Sequence, residues 1–222
     1  MASTLTTTFY KHFRLLLVAS LGVLPACAAK TNETLEYPTP AAVAPTDNPD
    51  RQYTIGEIGP GGGTVFYIAS TPFVSIGSDC DTNCRYLEVA PTPIDGDPAL
   101  PWATGENSEI AVPGDATALP VGTGMSNTNA IVAQTGNLAE SSAAVYAHEY
   151  EHGDKTDWHL PSGDELLELY LTHSIAGGRA DGIYWSSSET VGIYAWLRIF
   201  ENGLLYGVYK SEASLVRPIR AF

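Results

Sequence analysis

Ser162-Gly163-Asp164-Glu165-Leu166-Leu167-Glu168-Leu169-Tyr170-Leu171, then Gly182-Ile183-Tyr184-Trp185-Ser186-Ser187, then Ile193-Tyr194-Ala195-Trp196-Leu197-Arg198-Ile199-Phe200-Glu201-Asn202-Gly203-Leu204-Leu205-Tyr206-Gly207-Val208-Tyr209-Lys210, place a helix ahead of an antiparallel sheet. Ser162-x-x-Glu165 is a capping box, which marks a helix start at this point. Asn202-Gly203 between two β-rich runs is the strongest short-range hairpin signal. A last strand is expected over residues 215–222, where Pro218 restricts it to an edge or a bulge. Working upstream, Asn127-Thr128-Asn129 reads as the cap of a second helix running to about Tyr150, with Ile131, Val132, Leu138, Ala143 and Val145 as its apolar residues. Thr64-Val65-Phe66-Tyr67-Ile68 and Arg85-Tyr86-Leu87-Glu88-Val89-Ala90 read as strands, the second stopped by Pro91 and Pro93. Two helices and a late antiparallel sheet make an α+β domain.

Residues 1–26 have the form of an export signal. Lys11, His12 and Arg14 precede the apolar residues 15–24, a run of ten. A membrane-spanning helix takes about 20 apolar residues, whereas a short core flanked by basic and small residues suits a cleaved leader. At its end Leu24-Pro25-Ala26-Cys27 resembles the lipobox of bacterial lipoproteins, so Cys27 is the expected acylation site and a lipid anchor the expected tie to a membrane. Simple secretion after cleavage at Ala26-Cys27-Ala28 is the alternative. The count of three cysteines favours the anchor, because Cys80 and Cys84 can pair as a disulfide in an oxidising compartment and leave Cys27 over. So short a loop stabilises by about 2 kcal/mol on chain-entropy grounds. A metal site at the same pair lacks further thiolates.

Residues 27–50 hold Pro38, Pro40, Pro45 and Pro49 among Thr, Asn and Ala. Such a stretch buries too little apolar surface to offset its ordering entropy, so a disordered tether is expected. Residues 51–222 suit one ligand-binding domain. Of the 11 basic residues, Lys11 and Arg14 leave with the leader, and the remaining nine face 25 acidic ones, a formal charge of −16. That charge excludes nucleic acid as a partner and points to a neutral, cationic or metal-bridged one.

Gly56-Glu57-Ile58-Gly59-Pro60-Gly61-Gly62-Gly63 precedes a strand, whereas a phosphate-binding loop follows one, so these glycines read as turn residues. Residues 92–125 are mostly loop, dense in Gly, Pro, Asp and Asn. Asp95, Asp97, Glu106, Asn107, Glu109 and Asp115 are hard oxygen donors of the kind Ca²⁺ takes. Their spacing does not match a calcium loop, which favours a solvated acidic loop and leaves calcium an open alternative.

His148-Glu149-Tyr150-Glu151-His152 fits the zincin pattern, in which a helix sets two imidazoles on one face beside a glutamate. A zinc-dependent hydrolase is therefore one alternative reading. Against it, Gly153-Asp154-Lys155 follows at once and should fray the helix. Lys155 and Trp158 also stand where a metzincin needs its glycine and third histidine. Ser186-Ser187-Ser188 lack the glycine elbow of a serine hydrolase, and His159 and His173 have no nucleophile at a suitable spacing.

Taken together, the landmarks resemble the Lcl C-terminal-like domain family, which is related to C-type-lectin and formylglycine-generating-enzyme folds. They are residues 55–63 with Val65-Phe66-Tyr67, Tyr86-Leu87-Glu88-Val89-Ala90-Pro91, Trp102, Ile131 and Asp157-Trp158-His159-Leu160-Pro161-Ser162 with Glu165-Leu166. Tyr184-Trp185-Ser186-Ser187-Ser188-Glu189, Ala195-Trp196, Phe200, Gly203 and Val216-Arg217-Pro218-Ile219-Arg220-Ala221-Phe222 complete the set. The resemblance implies a C-type-lectin-like fold and a surface module that binds polysaccharide or protein, as in adhesins and retroelement-diversified receptors. The enzymes related to the family depend on late cysteines, and none follows Cys84, so their activity is not carried over. No collagen repeat is present either.

In the diversified receptors the framework stays fixed and the positions between its landmarks form the binding surface. Here those positions are residues 190–194, 197–199, 202 and 204–209. The candidate ligand-binding residues are Thr190, Ile193, Tyr194, Leu197, Ile199, Leu204, Leu205, Tyr206, Val208 and Tyr209. Exposed aliphatic and aromatic side chains on a hairpin make a partner surface, and the tyrosines suit stacking on sugars. Alternation sets Trp196, Arg198 and Phe200 on one face and Leu197 and Ile199 on the other, so one face should be buried. The leading expectation is a non-catalytic envelope protein that binds a carbohydrate or protein ligand. A ligand-free structural envelope protein is the third reading.

Overall fold

Strand β1 (Thr64–Phe73) and strand β2 (Cys84–Val89) pair antiparallel, and the loop between them is closed by a disulfide from Cys80 to Cys84 with a Cα–Cα separation of 5.0 Å. The coordinates are a computed structural model that describes residues 51–93, 95–138 and 141–222. The expected leader, Cys27 and the tether lie outside the described residues. β3 (Ala99–Pro101) and a short 3₁₀ turn (Gly105–Ser108) punctuate the long acidic loop, which is otherwise irregular as expected. Helices α1 (Gly124–Val132), α2 (Ala143–His148) and α3 (Gly163–Ala176) follow. Strands β4 (Ile183–Glu189), β5 (Tyr194–Ile199), β6 (Leu205–Tyr209), β7 (Ala213–Leu215) and β8 (Ile219–Ala221) complete the α+β architecture.

The strands form two sheets, one ordered β1-β2-β8 and one ordered β3-β7-β4-β5-β6. The expected last strand over residues 215–222 is in fact two strands, β7 in the larger sheet and β8 in the smaller. Pro218 has no N–H to continue a ladder, so the chain leaves one sheet there and enters the other. Arg217 is anchored at the crossing by both oxygens of Asp97, at 3.0 and 3.1 Å.

The expected helix from Asn127 to Tyr150 is likewise two helices, so the described residues hold three α-helices where the sequence suggested two. α1 starts earlier, at Gly124, because Asn127 and Thr128 do not cap it. The Asn127 amide donates to the Ala118 carbonyl at 2.7 Å, and the Thr128 hydroxyl accepts from the Leu160 amide at 3.1 Å. α1 ends at Val132, and the chain then turns away at Gly136, which takes φ +99°. Beyond it, Asn137 donates to the Ile131 carbonyl and accepts from the Thr104 amide. α3 behaves as its sequence dictates: Ser162 accepts from the Glu165 amide at 3.3 Å, and Glu165 accepts from the Ser162 amide at 2.7 Å.

Consecutive residues of β4 point to opposite faces, and both faces are covered. Trp185 packs with Trp102, Ile131, Leu160 and the α2 alanines, while Tyr184 packs with Phe66, Leu87, Leu166, Leu169 and Phe200. β4 is thus the central strand between two cores, one under α1 and α2 and one under α3. The glycine-rich loop ahead of β1 folds over Glu88, which accepts from the Gly61 amide at 2.9 Å and the Gly63 amide at 3.0 Å. A β-carbon at Gly61 would stand 2.7 Å from the Glu88 carboxylate, and one at Gly63 2.5 Å from the Val89 carbonyl. These glycines are needed for close approach to a buried carboxylate, beyond the turn role read from sequence.

No helix among the described residues is long and apolar enough to cross a membrane.

Candidate functional site

The terminal hairpin is held from both sides before it presents anything. Register pairs Tyr194 with Tyr209, Ala195 with Val208, Trp196 with Gly207, Leu197 with Tyr206 and Arg198 with Leu205. Side chains of a cross-strand pair share a face. One face therefore carries Ala195, Leu197, Ile199 and Val208, which pack into the core under α1 and α2. Of the residues expected from the sequence to bind ligand, Leu197 is buried in that core and Ile199 and Val208 are half-buried against it, turned away from the open face.

The other face carries Tyr194, Trp196, Arg198, Leu205, Gly207 and Tyr209, and α3 covers only half of it. Arg198 is buried, donating to the Gly163 carbonyl at 3.1 Å and the Gly203 carbonyl at 2.6 Å. Gly203, with φ +76°, lies against the Tyr170 ring, so that a β-carbon there would come within 2.6 Å of it. Gly203→Ala should cost about 2 kcal/mol from backbone strain and overpacking. Chemical denaturation checks this, and an unchanged midpoint would contradict the close approach.

Past Arg198 the cover ends. Tyr194 and Tyr209 lie with ring centroids 4.7 Å apart, tilted by 34°. The neighbouring Tyr209 hydroxyl, with burial, pushes the Tyr194 hydroxyl upward from its ordinary value. Trp196 lies half-buried beside Gly207, and the Thr190 methyl borders the same glycine. Thr190 is tied down by its amide and hydroxyl, which donate to the Tyr194 carbonyl at 3.0 and 3.2 Å. Ser186 holds the strand from beneath by donating to the Trp196 carbonyl at 2.8 Å.

The structure thus brings Thr190, Tyr194, Leu205 and Tyr209 together on one open face. Sequence reasoning placed Trp196 in the framework and missed it as a surface member. Alternation set it on the face opposite Leu197, and packing of Leu197 into the core is what leaves Trp196 on the open side. Ile193 is half-buried at the strand entry and accepts from the Lys210 amide at 2.9 Å. Leu204 and Tyr206 project from the core side of the sheet beyond the reach of its helices, at 59% and 61% exposure. They flank the aromatic face without belonging to it.

The acidic residues of the long loop do not converge. Asp97 is committed to Arg217 and accepts from the Tyr184 hydroxyl at 2.8 Å. Burial pushes that hydroxyl up to about 12, which keeps it a proton donor at neutral pH. Asn107 donates to the Thr135 carbonyl, Asp115 binds its own Thr117, and Asp95, Glu106 and Glu109 are exposed. The loop is fastened instead by Arg217 and by Lys210, whose ammonium meets Glu189 at 2.5 Å, the Ile110 carbonyl at 2.6 Å and the Trp102 ring at 4.8 Å.

The zincin-like segment loses its register in the fold. α2 ends at His148, while His152 forms a bridge with Lys155 across a turn in which Gly153 and Asp154 take positive φ. The two imidazoles therefore do not share a helix face. Among the described residues no three His, Cys, Asp or Glu side chains gather in a metal-holding arrangement.

No protein-family model and no curated protein matches the chain. Among solved structures it is similar to a fimbrial protein from Bacteroides ovatus, at 14% identity over 72% of this chain and 44% of that one, with a TM-score of 0.44. The chain spans less than half the length of that protein.

Proposed function

We propose that this chain is an exported, lipid-anchored envelope protein of the Lcl C-terminal-like type, whose C-type-lectin-like domain binds a carbohydrate or protein ligand through its terminal hairpin. The observation that supports the reading is the half-covered face. α3 and Gly163 clamp the hairpin at Arg198, and the remainder presents Trp196, Tyr194 and Tyr209 side by side. Rings fixed on a rigid strand pair lose little rotamer freedom on binding and offer large flat area to a sugar face or an apolar side chain.

A glycan and surface-protein array probed with the domain tests this reading. Retention of one class of spot by the wild type, with about tenfold or greater loss for Trp196→Ala and Tyr209→Ala, is the expected result. Loss should be absent for Leu171→Ala, an exposed α3 residue outside the hairpin. A blank array from folded protein, or binding indifferent to both aromatic substitutions, would contradict it.

A further inference from the structure

β6 is the terminal strand of the five-stranded sheet. The Lys210 amide donates to the Ile193 carbonyl and the Ile199 amide to the Leu204 carbonyl, both at 2.9 Å. Hydrogen-bonded and non-bonded pairs alternate along an antiparallel ladder. Residues 204, 206, 208 and 210 therefore bond to β5, and residues 205, 207 and 209 turn their backbone groups outward. The Tyr209 carbonyl is taken by the Glu212 amide at 3.0 Å. Leu205 and Gly207 are left offering both an N–H and a C=O, and Tyr209 an N–H. No strand lies beyond β6 among the described residues.

Natural sheets blunt such edges with proline, charge or brevity. The opposite edge of this sheet is blunted in that way: β3 has three residues, follows Pro98 and ends in Pro101. β6 reads Leu205-Tyr206-Gly207-Val208-Tyr209, without a proline or a charge. Gly207 at its middle is not required by the fold. Its φ is not positive, and a β-carbon there would meet Thr190 at 3.4 Å and Trp196 at 3.8 Å, ordinary contact distances. What a strand-interior glycine does allow is the close approach of another backbone.

We infer that the outer edge of β6 is a docking site for an extended polypeptide segment, apolar in its middle and basic at its ends, which joins the sheet as a sixth strand. The inference rests on the hairpin reading above and names the partner class of that surface. Charge selects the basic ends. Glu201 and Glu212 are exposed at the two ends of β6, while the cations of the hairpin, Arg198 and Lys210, are buried and engaged. A second copy of the chain fits poorly, because β6 paired antiparallel with itself about Gly207 sets Glu201 of one copy beside Glu212 of the other. Strand addition draws affinity from main-chain hydrogen bonds and specificity from alternate side chains. The partner's alternate residues would lie beside Leu205 and Tyr209 on the aromatic face and beside Tyr206 on the other.

The probe is the nine-residue peptide Lys-Lys-Val-Thr-Val-Thr-Val-Lys-Lys, titrated into the full chain, with amide hydrogen exchange read residue by residue. Saturable binding that slows exchange at Leu205 and Gly207 is expected. The same peptide with its central valine replaced by proline loses a ladder donor and should bind about tenfold more weakly. The paired substitution Glu201→Gln with Glu212→Gln should also weaken binding several-fold and reduce its dependence on salt. No binding, binding that leaves those two amides unprotected, or protection already present in a dimer of the free chain would overturn the inference. If the peptide fails while the array signal remains sensitive to Trp196→Ala, the strand partner falls and the hairpin reading stands. If the peptide protects both amides while the array is blank, the edge stands as the site and the aromatic face falls.

Discussion

Arg220→Met is expected to destabilise the domain by about 3–5 kcal/mol, the cost of removing one partner from a buried ionic cluster. Arg220 on β8 is almost fully buried and donates to Asp157, to Glu88 at 3.1 Å and to Asp79 at 2.9 Å, while Asp79 also meets Lys155 at 3.2 Å. One guanidinium thus joins β2, the disulfide loop and the segment leading into α3. Asp79 is exposed and can be rehydrated, but Glu88 cannot, since its side chain is fully buried under the glycine loop. Burial pushes the Glu88 carboxyl up, and the Arg220 charge with the Gly61 and Gly63 amides offsets only part of that rise. Without Arg220 it rises further, so the folded variant binds a proton that the unfolded chain releases. Stability of the variant therefore recovers as pH falls toward the ordinary carboxylate value near 4.5, and is lost as pH rises through the folded value. Thermal unfolding at neutral and mildly acidic pH checks this, with a fall in Tm of about 10 °C at neutral pH that narrows on acidification. A Tm within a degree or two of wild type would show that the cluster is not buried as described.

Lys210→Met should cost a similar amount, about 3–5 kcal/mol, with a local signature. The Glu189 carboxylate would remain buried with only the Val112 amide, at 3.2 Å from each oxygen, as a donor. The Ile110 carbonyl would lose its cation as well, so the loop around residues 110–112 should become the first site of proteolytic cleavage. Adding Glu189→Leu removes the stranded charge and should restore about half of the loss, because a buried ion pair is often no better than an apolar pair of like volume. Urea denaturation of the three variants measures the coupling. Equal instability of the single and double variants would mean that packing against Trp102, and not the charge, is what Lys210 supplies.

The parts of the fold legible in the sequence were those set by local chemistry. The capping box at Ser162, the Asn202-Gly203 turn and the β-branched runs need only their neighbours to act, and all three stand where expected. The failures came where tertiary partners overrode local preference. Asn127 and Thr128 looked like caps but are spent on the Ala118 and Leu160 backbones, and the last strand is divided at Pro218, where Arg217 finds Asp97, 120 residues away. At the hairpin, alternation correctly required one buried face, yet nothing local told which. That choice is made by the core under α1 and α2, which takes in Leu197, while α3 covers Arg198 on the opposite face. The carboxylate cradle was equally hidden, since Gly61 and Glu88 are 27 residues apart.

Trp196 also supplies the most direct measurement of whether this face receives a ligand. The chain holds four tryptophans, and Trp102, Trp158 and Trp185 are fully buried, so acrylamide quenching of fluorescence reports Trp196. A ligand retained on the array should shield it and lower the quenching constant toward that of Trp196→Phe. Quenching unchanged at saturating ligand would place binding elsewhere and contradict the assignment of the aromatic face.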